Sequence, residues 1–101
     1  MMSEMDICEY LATRKKDDVL VDVRDKAFFD FGTIEGAVNI PINDIKKLYE
    51  LPKERNIYLF CQAGDISGEM AELLSDAGYN ACNLTGGYRK YLRSVWQGQK
   101  S

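Results

Sequence analysis

The sequence predicts a doubly wound α/β domain: a mostly parallel sheet of four to five strands, flanked by helices on both faces. Three observations lead there. Val19-Leu20-Val21-Asp22-Val23 and Ile57-Tyr58-Leu59-Phe60 are short apolar runs with the length and residue types of fully buried strands. Between such runs lie patterns of helical period joined by short connections, which sets consecutive strands parallel and covers the sheet with helices. Finally, 101 residues, 46% hydrophobic and 29% charged, fit one globular domain over residues 1–101.

Each element has its own signal. Ser3 with Asp6 three residues later resembles a capping box, and Ile7, Tyr10 and Leu11 give the apolar face of a first helix. After the strand at 19–23, Asp25 is placed to cap a short helix carrying Phe28, Phe29 and Phe31 and closed by Gly32. Ala37-Val38-Asn39-Ile40 reads as a small strand stopped by Pro41. Asn43 caps a helix through Ile45, Leu48 and Tyr49 that ends before Pro52. In the helix after the strand at 57–60, Met70, Leu73, Leu74 and Ala77 share one face, and Gly78 ends it. Ala81-Cys82-Asn83-Leu84 is a last strand and Thr85-Gly86-Gly87 a turn. Tyr88, Tyr91, Leu92, Val95 and Trp96 make one face of a closing helix, with Gly98 past its end.

This layout singles out Cys61. It sits where a buried strand ends, and a short glycine-containing loop leads from it to a helix N-terminus. Ligands of open α/β sheets bind at the carboxyl ends of strands, and helix N-terminal amides favour an anion there. A thiol so placed ionises more readily than a free cysteine, whose pKa is about 8.5. Consecutive N–H groups of a curled loop form an anion-binding concavity, and Gln62, Ala63, Gly64, Asp65, Ile66 and Ser67 are the candidates to build it. Gly64 permits the backbone conformation that residues with side chains resist, and Ser67 is placed to cap the helix. Packing alone offers a competing reading of Cys61, a buried thiol acting as a small hydrophobe.

Four segments carry a family resemblance. Val21-Asp22-Val23-Arg24 looks like the D-x-R segment of rhodanese-like domains. Gly32-Thr33-Ile34-Glu35-Gly36-Ala37-Val38-Asn39-Ile40-Pro41 is similar to that family's G-H-I-x-G-A-x-N-I-P, with Thr33 in place of the usual His. The stretch from Cys61 through Gly64 to Ser67 resembles its active-site loop, and Leu84-Thr85-Gly86-Gly87-Tyr88 its C-terminal Gly-Gly turn. The four occur in the family's order and span essentially the whole chain. The resemblance implies a domain in which Cys61 is the nucleophile and carries sulfane sulfur as a persulfide. Donor (persulfide, polysulfide or thiosulfate) and thiol acceptor would be its partners. Asp22 and Arg24 are expected to support neighbouring loops as an ion pair, because Arg forms fixed bidentate links to carboxylates.

Members of the family that use thiosulfate commonly carry loop arginines, and here Gln62 and Ile66 hold those positions. Asp65 adds a negative charge; pointing inward it would oppose a dianion and disfavour the thiolate, pointing outward it does little. A persulfide or polysulfide is therefore the expected donor. The Cys61-Gln62-x-Gly64 loop, with Asn83-Leu84-x-Gly86-Gly87-Tyr88-x-x-Tyr91, also resembles the rhodanese domains attached to flavin-dependent CoA-disulfide and persulfide reductases. Such a reductase is thus a candidate partner. The chain itself holds no nucleotide fingerprint, and no cofactor is expected on it.

Other classes fare less well. A net charge of −3 gives no basic footprint for nucleic acid. No apolar run approaches the ~20 residues that span a bilayer, and residues 1–6 lack the apolar core of a signal peptide. Three scattered cysteines and no histidine argue against both a disulfide framework and a metal site, and suit a reducing, cytoplasmic setting. Cys82 is expected in the core and Cys8 at its margin. A thiolate cradle also suits phosphatase chemistry, but the arginine that chemistry requires would have to stand at Ser67. The rival from another class is a catalytically silent module that uses the same fold to bind a partner, or an accessory domain of a disulfide or persulfide reductase.

Overall fold

The computed structural model describes residues 2–100; Met1 and Ser101, the ends of the expected domain, lie outside the described residues. Five strands form one sheet: β1 (Ser3–Asp6), β2 (Val19–Asp22), β3 (Val38–Asn39), β4 (Asn56–Phe60) and β5 (Asn80–Thr85). Their order is β1-β5-β4-β2-β3 and every pairing is parallel. The helices are α1 (Ile7–Thr13), α2 (Lys26–Phe31), α3 (Ile66–Asp76) and α4 (Gly87–Lys100), with a 3-10 helix over Ile42–Glu50.

Alternation along the central strands builds two cores. Val21, Ile57 and Leu59 face one side and pack with Leu48 of the 3-10 helix and with Met70, Ala71 and Leu74 of α3. Leu20 and Phe60 face the other, against Ile7 and Tyr10 of α1 and, at the margin, Tyr88 and Tyr91 of α4. A strand buried on both faces has to be apolar throughout, which is why β4 reads as a continuous run. After β2 the chain moves outward to β3, and after β4 it moves the other way to β5. The strand order therefore reverses between β2 and β4, which places a crevice beyond their carboxyl ends.

Several sequence expectations are corrected. Ser3 is not a capping residue: Ser3–Asp6 is an edge strand paired to β5, and Asp6 alone caps α1 by accepting the N–H groups of Cys8 and Glu9. Asp25 stands at the start of α2 without a side-chain cap. Asn43 lies inside the 3-10 helix, whose N-cap position is Pro41 and whose axis kinks at Asp44. Leu73 of α3 is exposed, and the buried stripe is instead Ser67, Gly68, Met70, Ala71 and Leu74. In α4 Tyr88 and Tyr91 of the expected apolar face pack at the core margin, whereas Leu92, Val95 and Trp96 are exposed. The helix also runs through Gly98 rather than stopping before it.

Asp6 does double duty, because its second carboxylate oxygen pairs with Lys90 of α4. The Lys90 ammonium is the main cause, ahead of the capped N–H groups, that holds the Asp6 carboxyl below its ordinary 3.8. A depressed carboxyl pKa contributes stability above the unfolded-state value and loses it as pH falls through the folded one. Asp6→Asn keeps an N-cap of equal quality but loses the ion pair. Its melting temperature is expected to lie below that of the wild type at pH 7. The gap should close once the pH is well below 3.8; thermal denaturation followed by circular dichroism across this range checks it.

Candidate active site

Cys61 follows the last residue of β4 and is only 3% exposed. The chain then curls through residues 62–65 into α3. Gly64 takes φ +99°, in the left-handed region that favours glycine, and a Cβ there would stand 3.3 Å from the Gly86 nitrogen. The curl turns main-chain donors onto the sulfur: Gly64 N–H and Ser67 N–H donate to Cys61 Sγ at 3.0 and 3.4 Å. Ser67 Oγ lies 3.2 Å from the same atom. Ser67 is not the helix cap, since Asp65 holds that position and accepts the Ile66 N–H at 2.9 Å.

The loop is held from outside by α4. Tyr88 N–H donates to the Cys61 carbonyl at 2.8 Å and Arg89 N–H to the Gln62 carbonyl at 3.0 Å. Two donors left over at one helix start thus take the carbonyls that flank the cysteine. Gly87, at φ +62°, makes this approach possible: a Cβ there would come within 2.6 Å of both carbonyl oxygens.

Asp22 and Arg24, at the end of β2, form a buried ion pair. Arg24 Nη2 and Nε reach Asp22 Oδ2 at 2.7 and 3.1 Å, and Nε also reaches Oδ1 at 2.9 Å. The guanidinium further donates to the Gly32 carbonyl at 2.6 Å and to Gln62 Oε1 at 3.4 Å, and it lies 4.0 Å over the Tyr88 ring. It therefore joins the turn after β2 to the cysteine loop and to α4. Thr33, which stands where the resemblance expects His, donates its hydroxyl to Asp22 Oδ2 at 2.8 Å.

Asp65 settles the question of its own direction. The residue is exposed, but its Oδ1 lies 3.5 Å from Cys61 Sγ, close enough to accept a thiol proton. The Ile66 N–H foremost, then its own N–H and the Cys61 thiol, hold the Asp65 carboxyl below its ordinary value, and the Arg89 charge acts in the same sense. A carboxylate anion thus rests beside the sulfur.

Of the remaining loop positions, Gln62, Ala63 and Ile66 are exposed. Cys82 is buried in the middle of β5, beside Tyr58 of β4, where desolvation raises its pKa, and Cys8 is half-buried on α1. Sequence reasoning missed Asn83, Gly87 as a contact to the loop, and Arg89. A first-turn position after a Gly-Gly turn was the available signal for Arg89; for Asn83 there was none short of its long-range partners. A cavity of about 880 Å³ lies away from Cys61, beside β3, lined by residues that include Asp25, Phe29, Val38 and Lys47. Among the described residues no Cys, Asp and Glu cluster could hold a metal ion, and no helix is long and apolar enough to cross a membrane.

Comparison with known proteins gives the class. The model of the rhodanese-like domain matches residues 8–94, and the chain belongs to that family. Among curated relatives, a protein called Sulfurtransferase from Allochromatium vinosum is 33% identical over 98 residues, covering 92% of this chain and 91% of its own length. The uncharacterized protein YqhL of Bacillus subtilis is 38% identical over 74 residues, 71% of this chain and 59% of that protein. The adenylyltransferase and sulfurtransferase UBA4 of Meyerozyma guilliermondii is 34% identical over 88% of this chain, which spans only 23% of it. Among solved structures, a rhodanese-related protein from Thermoplasma volcanium superposes with a TM-score of 0.84 at 25% identity, covering 91% of this chain and 92% of that one. The reduced CoADR-RHD protein of Bacillus anthracis gives 0.80 at 30% identity over 89% of this chain and 16% of that one.

The contact between α4 and the loop is open to a direct test. Gly87→Ala places a methyl group against two backbone carbonyls at a left-handed backbone position. The variant is expected to be destabilised by about 2 kcal/mol or more in urea unfolding. An unchanged unfolding midpoint would mean that the α4 start does not fix the loop.

Proposed function

We propose that the protein is a sulfurtransferase of the persulfide-carrier type, with Cys61 as the nucleophile. One observation carries this reading: the Cys61 sulfur lies at the carboxyl end of the central strand, facing two main-chain N–H donors of a curled loop. Such donors suit a sulfur that bears negative charge, as thiolate or as persulfide. Residues 62–67 are the cradle, and Asp22 with Arg24 supports it from the neighbouring strand. The Allochromatium relative named Sulfurtransferase, similar over nearly all of both chains, supports the same reaction class.

The steps balance without an external oxidant or reductant. The Cys61 sulfur attacks the outer sulfur of a donor R–S–SH; an S–S bond forms to Cys61, the donor's S–S bond breaks, and R–SH leaves with the proton that Cys61 gave up. An acceptor thiol R′–SH then takes the outer sulfur from Cys61–S–SH by the same exchange, leaving R′–S–SH and the free Cys61 thiol. Oxidation state is conserved at each exchange.

Donor choice follows from Asp65. A carboxylate 3.5 Å from the sulfur opposes thiosulfate, whose two charges sit on one compact group, more than it opposes a singly charged or neutral persulfide, or a polysulfide whose charges lie at opposite ends of a sulfur chain. A persulfide or polysulfide is the donor on this reading. A flavin-dependent disulfide reductase is a candidate partner, in keeping with the likeness to CoADR-RHD, and the setting is the reducing cytoplasm. The same carboxylate favours a second reading, a silent binding module in which the sulfur is never loaded.

Steady-state sulfur transfer to a small thiol separates these readings. Polysulfide is expected to support turnover and thiosulfate to support little, while Cys61→Ser abolishes both. Asp65→Arg should raise thiosulfate turnover by on the order of tenfold, as reversal of a local charge does for an anionic reactant. Equal thiosulfate turnover by wild type and Asp65→Arg would contradict the donor assignment. Absence of turnover with every donor would favour the binding module.

A further inference from the structure

Asn83 is buried, 1% exposed, on β5 beside β4, the strand that leads into Cys61. Three contacts decide which way its amide faces. Nδ2 lies 2.9 Å from the Gly64 carbonyl and 3.1 Å from Glu4 Oε2. Both partners are acceptors, and an amide nitrogen has two protons to give them. Oδ1 lies 2.6 Å from Ser67 Oγ. Turned over, the amide would press its oxygen against two acceptors. Gly68 leaves room for this arrangement, since a Cβ there would stand 3.2 Å from Nδ2.

A serine hydroxyl has one proton. With Oδ1 at 2.6 Å and the sulfur at 3.2 Å, that proton goes to Asn83, and the lone pairs of Ser67 Oγ face Cys61. The carboxylate of Asp65 likewise only accepts. The groups around the sulfur therefore divide by origin: the main chain donates, and both side-chain oxygens accept.

We propose that Asn83 is a positioning residue for Cys61: by taking the Ser67 hydroxyl proton it makes Ser67 Oγ an acceptor toward the sulfur. The reduced site then holds its thiol proton between the oxygens of Ser67 and Asp65, while only Gly64 N–H and Ser67 N–H stabilise negative charge on sulfur. Other charged groups around it are Arg24 through Gln62, Arg89 on α4 and Glu4 through Asn83. Carboxylates and guanidiniums titrate well away from thiols, so the pH profile of alkylation at position 61 reports the thiol.

The test is the rate of iodoacetamide alkylation at Cys61, read by peptide mapping across the thiol range, in a double-mutant cycle. In the otherwise native protein, Ser67→Ala removes an acceptor; the profile should move to lower pH, and alkylation at neutral pH should quicken by about threefold, as for loss of one hydrogen bond. In an Asn83→Ala background the freed hydroxyl can turn its proton to the sulfur. There the same Ser67→Ala change should move the profile to higher pH and slow alkylation. A purely structural role for Asn83 gives no such reversal of sign. Slower alkylation on Ser67→Ala in the native background, or the same sign in both backgrounds, would overturn the proposal. Should Asn83→Ala fail to fold, Asn83→Leu, which also lacks the amide acceptor but keeps about the same volume, takes its place in the cycle with the same expected reversal of sign. The inference rests on Cys61 being the working sulfur, yet alkylation needs no sulfur donor. A protein that alkylates as described but takes up no sulfur would refute the proposed function and leave the orientation of Ser67 standing.

Discussion

The first-turn amides of α4 close on the carbonyls of Cys61 and Gln62, at 2.8 and 3.0 Å, and much of the molecule is arranged to allow it. Every helix start leaves N–H groups without intrahelical partners, and every strand end leaves carbonyls beyond the ladder. Here one deficit fills the other. The contact needs two backbones closer together than a side chain would permit, hence Gly87. It also needs β5 to lie beside β4 so that the turn after β5 arrives at the cysteine, hence the parallel order with β4 in the centre. With those carbonyls satisfied elsewhere, the N–H groups of Gly64 and Ser67 are left to face the sulfur.

Around that frame the charges are set in pairs from different elements. Asp22 is buried, and a lone buried carboxylate would be costly; Arg24 neutralises it and Thr33 adds a hydrogen bond. Because the same guanidinium also touches Gly32, Gln62 and the Tyr88 ring, the ion pair ties the turn after β2 to both halves of the site. At the mouth, Asp65 and Arg89 oppose one another, so positive charge comes from α4 rather than from the loop. Loop composition alone understates the cationic groups near the cysteine.

How much of this the sequence made legible depends on the range of each interaction. Strands β2 and β4 showed as apolar runs because both of their faces are covered, and Cys61 with its loop followed from where β4 had to end. Ser3–Asp6 hid its strand character because it is an edge strand of polar and half-exposed residues, joined to β5 through main-chain bonds that leave no hydrophobic pattern. Ser67 has the chemistry of a helix cap, yet at the start of α3 it is engaged by Cys61 and Asn83, and Asp65 holds the cap position instead. Trp96 and its neighbours had helical spacing, but spacing alone does not say how far along a helix the core reaches: Tyr88 and Tyr91 pack at its margin, while Leu92, Val95 and Trp96 are exposed. Asn83 was illegible for the plainest reason: its partners, Glu4, Gly64 and Ser67, lie 79, 19 and 16 positions away in the chain.

The central claim is that Cys61 carries sulfur, and intact mass spectrometry of the reduced, folded protein after brief exposure to polysulfide tests it most directly. The account predicts a gain of one sulfur atom, mapped to the peptide containing Cys61 and removed by a small thiol. No gain at Cys61, or sulfur found only on Cys8 or Cys82, would contradict it.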